Sequence, residues 1–217
     1  AATTLLVHPA ELYVGLRSER TFVERGQPLP IDLIVVDLDG RAIPGQSVAV
    51  RAARLEWRFR HGSWREEEAD VQRCAVESAS EPVRCTFETS IGGTYRITAT
   101  VNDRLGRPNQ TEITRWVSGG QHPPARQVEQ EQVTLIPDRA QYAPGDTARI
   151  LVQAPFAPAE GLLTLRRSGL VSSQRFTMNE ASYTLEIPIE EGYIPNLYVQ
   201  VDLVGVPILQ HNWFEAN

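Results

Sequence analysis

Thr94-Tyr95-Arg96-Ile97-Thr98-Ala99-Thr100-Val101 decides the fold class. Tyr95, Ile97, Ala99 and Val101 share one side of an extended chain. Thr94, Arg96, Thr98 and Thr100 share the other. A period of two marks a strand buried on one face and wet on the other, the habit of antiparallel sheets. The same alternation recurs at residues 183–189, with Tyr183, Leu185, Ile187 and Ile189 on one side. It recurs again at residues 197–203, with Leu197, Val199, Val201 and Leu203 opposed to Tyr198, Gln200 and Asp202. Val, Ile, Thr and Tyr suit such pleated surfaces. Turn signals punctuate the strands: Asp39-Gly40, His61-Gly62-Ser63, residues 90–93, residues 103–108 and Pro144-Gly145-Asp146. Asp39-Gly40 reads as a hairpin turn, because glycine accepts positive φ. No stretch carries the pattern of a three-turn helix.

The chain repeats itself once. Phe22-Val-Glu-Arg-Gly26-Gln27 leads into an apolar run at 31–36, and Tyr142-Ala-Pro-Gly145-Asp146 leads into another at 148–152. The two glycines stand 119 positions apart. Solenoid units are far shorter, so whole domains are repeated. About seven short strands per repeat, with turns every 8–12 residues, predict two tandem antiparallel β-sandwiches of immunoglobulin or fibronectin type-III shape. The boundary is expected at Ser118-Gly119-Gly120-Gln121-His122-Pro123-Pro124-Ala125, where glycines loosen the chain and prolines extend it. The expected domains are therefore residues 9–118 and 127–217, joined by a linker over 119–126, with Gly119, Gly120, Pro123 and Pro124 as its hinge. Residues 1–8 are expected to be the last strand of a preceding domain. The abrupt start at Ala1-Ala2-Thr3 reads as that of an excerpt, so the lack of a leader pattern says nothing about the compartment.

Composition narrows the function. The chain has 217 residues and a formal net charge of −6, with no clustered basic surface of the kind nucleic acid requires. No apolar run approaches the ~20 residues of a membrane span, so direct membrane insertion is not expected. Glu66-Glu67-Glu68 and Asp70 lack the spacing of a calcium loop and read as a solvated edge, where like charges discourage further pairing. Asp37-Leu38-Asp39-Gly40 resembles the start of such a loop but lacks its closing glutamate. His8, His61, His122 and His211 sit near turns and form no ligand pattern. Ser168-Gly169 belongs to no nucleophile elbow. Trp57, Phe59 and Trp64 suit cross-strand packing, or else an exposed carbohydrate platform. Trp116 and Trp213 are expected in the closing strands of the two cores. Asn109-Gln110-Thr111 matches a glycosylation acceptor. No catalytic residue, metal ligand or cofactor site is expected.

Cys74 and Cys85 flank a turn-forming stretch, Ser78-Ala79-Ser80-Glu81-Pro82. A hairpin would set Cys74 opposite Cys85 and Val76 opposite Val83, close enough for a bridge worth about 3 kcal/mol. Two reduced thiols are the alternative. A bridge implies an oxidising compartment, periplasmic or extracellular.

Two groups of residues carry a family likeness. Leu135-Ile136-Pro137-Asp138-Arg139, then Tyr142-Ala143-Pro144-Gly145-Asp146-Thr147-Ala148, residues 161–170 and residues 194–201 resemble a macroglobulin-like domain of the α2-macroglobulins. In the first half, residues 12–17, 36–40 and 92–99 are similar to the preceding domain of bacterial members, and the two cysteines look like that domain's bridge. The resemblance implies a parent that traps proteases, periplasmic or extracellular, with the inner membrane as a site of lipid anchoring. Its partners would be neighbouring macroglobulin domains and attacking proteases. The thioester motif Cys-Gly-Glu-Gln is absent: Cys74 precedes Ala75-Val76, and Cys85 precedes Thr86-Phe87. Nor does a long bait segment stand out. The resemblance therefore implies two scaffold domains placed shortly before the bait-bearing one. An adhesin built of fibronectin-like repeats is the rival, with a carbohydrate-binding accessory behind it.

Overall fold

The computed structural model describes residues 4–5, 7–60, 63–120 and 133–205. The chain divides into two compact units, Ala1–Val117 and Ser118–Asn217. Both are two-layer antiparallel β-sandwiches, as the alternation predicts. The only regular helical element among the described residues is a single 3-10 turn, Glu191–Tyr193.

The first unit holds eight strands: β1 (Tyr13–Arg17), β2 (Phe22–Val23), β3 (Leu29–Val36), β4 (Ser47–Arg60), β5 (Ser63–Glu77), β6 (Val83–Phe87), β7 (Gly93–Asn102) and β8 (Pro108–Val117). One layer has the order β1-β3-β6 and the other β2-β8-β7-β4-β5. All pairs are antiparallel except the two-residue β2–β8 contact. The quoted stretch lies in β7, between β4 and β8. Its inward set, Tyr95, Ile97, Ala99 and Val101, is at most 1% exposed, and Leu29, Ile31, Leu33 and Val35 of β3 meet it from the other layer. Each large side chain so buried contributes roughly 1.5–3 kcal/mol. Pro30 sits near the start of a strand that has two neighbours further along. β1 stops pairing at Asp32, so at Pro30 only β6 is alongside.

β4 and β5 outrun their layer. β7 accompanies β4 only as far as Leu55, opposite Thr94, while β4 and β5 stay paired up to Arg60 and Ser63. A bulge precedes this two-stranded arm. Ala52 pairs with Gln72 and Arg54 with Ala69, so Asp70 and Val71 together oppose Ala53. Asp70 takes the left-handed φ of 48° that the bulge demands.

The second unit holds six strands: β9 (Thr134–Pro137), β10 (Thr147–Gln153), β11 (Ala159–Arg166), β12 (Leu170–Met178), β13 (Ser182–Pro188) and β14 (Tyr198–Gly205). Its layers have the orders β13-β10-β9 and β12-β11-β14. Ile150, Val152, Leu163, Leu165, Met178 and Ile187 form much of its core. Gly161 of β11 is required by contact rather than by a turn. A Cβ there would lie 2.3 Å from the ring of its cross-strand partner Phe176, which itself stacks on Tyr183 at 5.0 Å. Where about seven strands per repeat were expected, the described residues form eight and six. Among the described residues no strand pairs with the outer edge of β14, so Val199, Val201 and Leu203 are only half-buried. In the first unit the corresponding edge of β7 is covered by β8 along ten residues.

Candidate functional site

Cys74 and Cys85 are joined, with Cα atoms 6.2 Å apart. The hairpin expected to hold them does not form. β5 belongs to the five-stranded layer and β6 to the three-stranded one, and β6 takes β3 as its partner. The turn at residues 78–82 carries the chain across the sandwich instead of back along the same sheet. The bridge therefore staples the two layers along one side. Ser78 makes the crossing possible. Its hydroxyl donates to Ile43 O at 2.7 Å and accepts the Gln46 N–H at 2.9 Å, so a buried hydroxyl is fully used.

The acidic run after Trp64 lies on β5, the edge strand of its layer, with Glu66, Glu68 and Asp70 exposed as expected, and its carboxylates are held by arginines. The strand's period of two divides it between the two faces of the arm. Glu66 and Glu68 fall on the face of Arg96 and Arg51. Arg96 reaches Glu66, Glu68 and also Glu112, and Arg51 takes Glu68 in a bidentate pair. The Arg51 hydrogen bond holds Glu68 below the usual carboxylate range. Glu67 falls on the opposite face, with Arg58 and Arg60, while Arg54 joins Glu56 to Asp70. Hydrogen bonds from Arg58 and then Arg54 lower Glu56 in the same way. Every basic residue of the chain is an arginine. Its planar fork suits paired carboxylates, so the ladder has geometry as well as charge. No acid in it is left to work as a base.

The aspartate turns are likewise consumed. Asp37-Leu-Asp-Gly-Arg41 and Asp103-Arg-Leu-Gly-Arg107 are the same device. In each, the first aspartate accepts the N–H groups two and four positions on, and its own N–H donates to the arginine carbonyl. Gly40 and Gly106 supply φ of 79° and 75°. The turn thus spans five residues rather than the two of Asp39-Gly40. Asp103 is the buried copy. Burial pushes its carboxyl up, but the N–H groups of Arg107, Glu11 and Leu105 and the Arg107 guanidinium outweigh that and hold it at about 2. Among the described residues no three His, Cys, Asp or Glu side chains gather as a metal site.

The other candidates scatter. His8 Nδ1 lies 2.9 Å from the Tyr13 hydroxyl, while His61, His122 and His211 lie outside the described residues. Ser168-Gly169 caps the β11–β12 hairpin. The glycosylation acceptor is a clamp inside β8: Asn109 Oδ1 accepts the Val14 N–H at 3.0 Å, and the Thr111 hydroxyl donates to Val14 O at 2.6 Å. Trp57 and Trp116 are half-buried; the side chains of Phe59 and Trp64, and all of Trp213, lie outside the described set. Of the linker, Gly119 has φ 78° and donates its N–H to Ser182 Oγ at 2.6 Å, both within the second unit. Pro123 and Pro124 lie outside the described residues.

Sequence reasoning missed one concave feature. A cavity of about 700 Å³ opens in the second unit, lined by apolar groups including Leu135, Tyr142, Ile150, Ile189, Leu197 and Val199. It lies where the free edges of β9 and β14 leave the sandwich unclosed. Tyr142 borders it and donates to the buried Asp138 at 2.7 Å; burial and that carboxylate push the phenol up to about 12. The cavity thus offers mainly apolar contact, with Gln141, Glu190 and Asn196 among its polar lining.

The chain is similar to known proteins over most of its length. Residues 133–215 match the family described as the alpha-2-macroglobulin bait region domain. Over 212 residues the chain is 25% identical to an alpha-2-macroglobulin homolog of Nostoc sp., covering 93% of this chain and 11% of that protein. The chain thus spans about a tenth of that relative's length. Solved structures that the chain matches include the native conformation of E. coli alpha-2-macroglobulin, at 18% identity and a TM-score of 0.37, covering 93% of this chain and 15% of that one. Salmonella alpha-2-macroglobulin reacted with methylamine has the same identity and TM-score, with 92% and 15% covered. The relationship rests on the sequence matches, and it is to the α2-macroglobulins that the family likeness pointed. One expectation changes: the bait region's family name falls on the second unit, so the comparisons lend no support to a bait-bearing domain placed beyond this chain.

Proposed function

We propose, taking descent from the α2-macroglobulins as the premise, that these two units are scaffold modules of a bacterial protease trap. The second is the sandwich of its bait region domain; neither the bait itself nor the thioester is read in this chain. The alignment with the Nostoc homolog, which runs through both units, carries the proposal. The chemistry supports it. The arm's carboxylates and the buried aspartates hold arginines, tyrosines and backbone N–H groups in place, so the work of the chain is mechanical. Stiff modules hold distant parts of the parent and move as bodies when a strained segment is cut. In that parent the partners are neighbouring domains and the protease it engages. The cross-layer disulfide supports an oxidising location, periplasmic or extracellular.

The test compares the chain with its full-length parent against trypsin, using a protein substrate and a small chromogenic one. The chain alone leaves both hydrolyses unchanged. The parent suppresses cleavage of the protein substrate while sparing the small one. Inhibition by the isolated chain, or none by the parent, refutes the proposal.

A further inference from the structure

β12 has one long edge that the second unit does not use. It pairs with β11 on one side, and among the described residues nothing pairs with the other. Leu170 to Arg175 are exposed without interruption, so neither face of this half of the strand is covered. Leu170 is 69% exposed and Val171 41%. The run Leu170-Val-Ser-Ser-Gln174 contains no charge, proline or glycine. Arg175 is the one charged residue of the strand, and it makes no ion pair among the described residues. A row of unpaired N–H and C=O groups on such an edge is a template for another strand.

The other edges are blunted or engaged. β5 carries arginines and glutamates and is bent by the bulge at Asp70. β1 and β6 have five residues each, and β9 has four and ends at Pro137. β13 has Gly119 at its start, donating to Ser182 Oγ, and Pro188 at its end. β14 carries Asp202 and leads into residues outside the described set. β12 has none of these protections.

We propose that β12 pairs antiparallel with β12 of a second copy of this chain, about a two-fold axis at Ser173. The layer β14-β11-β12 then continues into its mate as one six-stranded sheet, an ordinary size. Opposed residues in a ladder point to the same face, so in a two-fold pair one residue must meet itself. Centring on Ser173 keeps five opposed residues inside the exposed run and takes in Arg175. Ser172 then faces Gln174 of the other copy, a polar pair. Val171 faces Arg175, whose aliphatic stem covers the exposed valine while its charge stays clear of its own copy. No like charges are opposed, so the strand is complementary to itself.

The experiment is sedimentation equilibrium of the whole chain over a range of concentrations. So small an interface gives a weak dimer, with a Kd on the order of 0.1 mM. Val171→Glu and Val171→Lys remove the same side chain and differ in sign. The glutamate faces the other copy's Arg175 twice per dimer and should bind about fivefold tighter than the lysine variant. Ser173→Cys sets two thiols opposite each other with Cα atoms about 4.5–5.5 Å apart, within reach of a bond. The described residues hold no other free cysteine, so mild oxidation should give a covalent dimer. Gln200→Cys, exposed on β14, should link far more slowly. A monomer at every concentration up to about 1 mM, equal affinity of the two Val171 variants, or linkage at position 200 as fast as at 173 overturns the proposal. None of these outcomes depends on the protease assay, so either reading can fail alone.

Discussion

Asp103 shows how much one side chain can organise. It is buried, yet it takes the N–H groups of Glu11, Leu105 and Arg107 and so fastens the N-terminal segment to the β7–β8 turn. Its folded pKa of about 2 lies below the ordinary aspartate value of 3.8. A depressed carboxyl contributes stability that is present above the unfolded pKa and is lost as pH falls through the folded one. The first unit should therefore weaken between about pH 4 and pH 2. Asp103→Asn keeps the shape but cannot accept the same set of bonds as an anion. The variant should be less stable at pH 7 and should show a flatter acid limb, measured by urea unfolding across that range. An acid limb identical to the wild type would show that another group controls it. The exposed copy, Asp37, makes the same turn and is not expected to affect stability comparably, because water can replace its bonds.

At the scale of elements, the disulfide and the arm divide the first unit's stability between them. The bridge ties β5 to β6, the two strands at the same side of opposite layers, and closes a short covalent loop over cysteines 11 positions apart. Removing it with Cys74→Ser and Cys85→Ser should cost about 3 kcal/mol in denaturant unfolding, while strand content by circular dichroism is retained. A change below ~0.5 kcal/mol would mean that the layers need no staple. The alternation of residues 94–101 made the strands legible, because a period of two leaves little freedom once one face is buried. The pairing of the layers was not legible. Whether the turn at residues 78–82 returns along one sheet or crosses to the other depends on Ser78 and its partners Ile43 and Gln46, which are more than 30 positions away. The arginine ladder was hidden for a related reason. Glu66, Glu67 and Glu68 read as one acidic patch until the strand's period of two assigns alternate members to opposite faces. Of the site residues, the cysteines could be read from spacing and turn chemistry, whereas the cavity could not. It arises from an unpaired edge, which no local pattern announces.

As a whole molecule the chain is two sandwiches of unequal closure. The first has eight strands, a staple and a core strand flanked on both sides. The second has six among the described residues, a cavity of about 700 Å³ and half-buried apolar groups on β14. Packing contacts forfeited around a void lower stability directly. Thermal unfolding should therefore show two transitions, the second unit melting first, and its β14 amides should exchange with deuterium faster than those of β7. Hydrogen exchange followed by mass spectrometry distinguishes the two strands. A single cooperative transition, or equal protection of β7 and β14, would contradict this order.

The cross-layer bond has a mechanical meaning as well. A tug on the polypeptide can peel the second sandwich strand by strand, whereas in the first the segment between cysteines 11 positions apart cannot lengthen until the bond itself is reduced. Under load the bond withholds only that short segment from the length the first unit can release, whereas every described strand of the second is free to pay out.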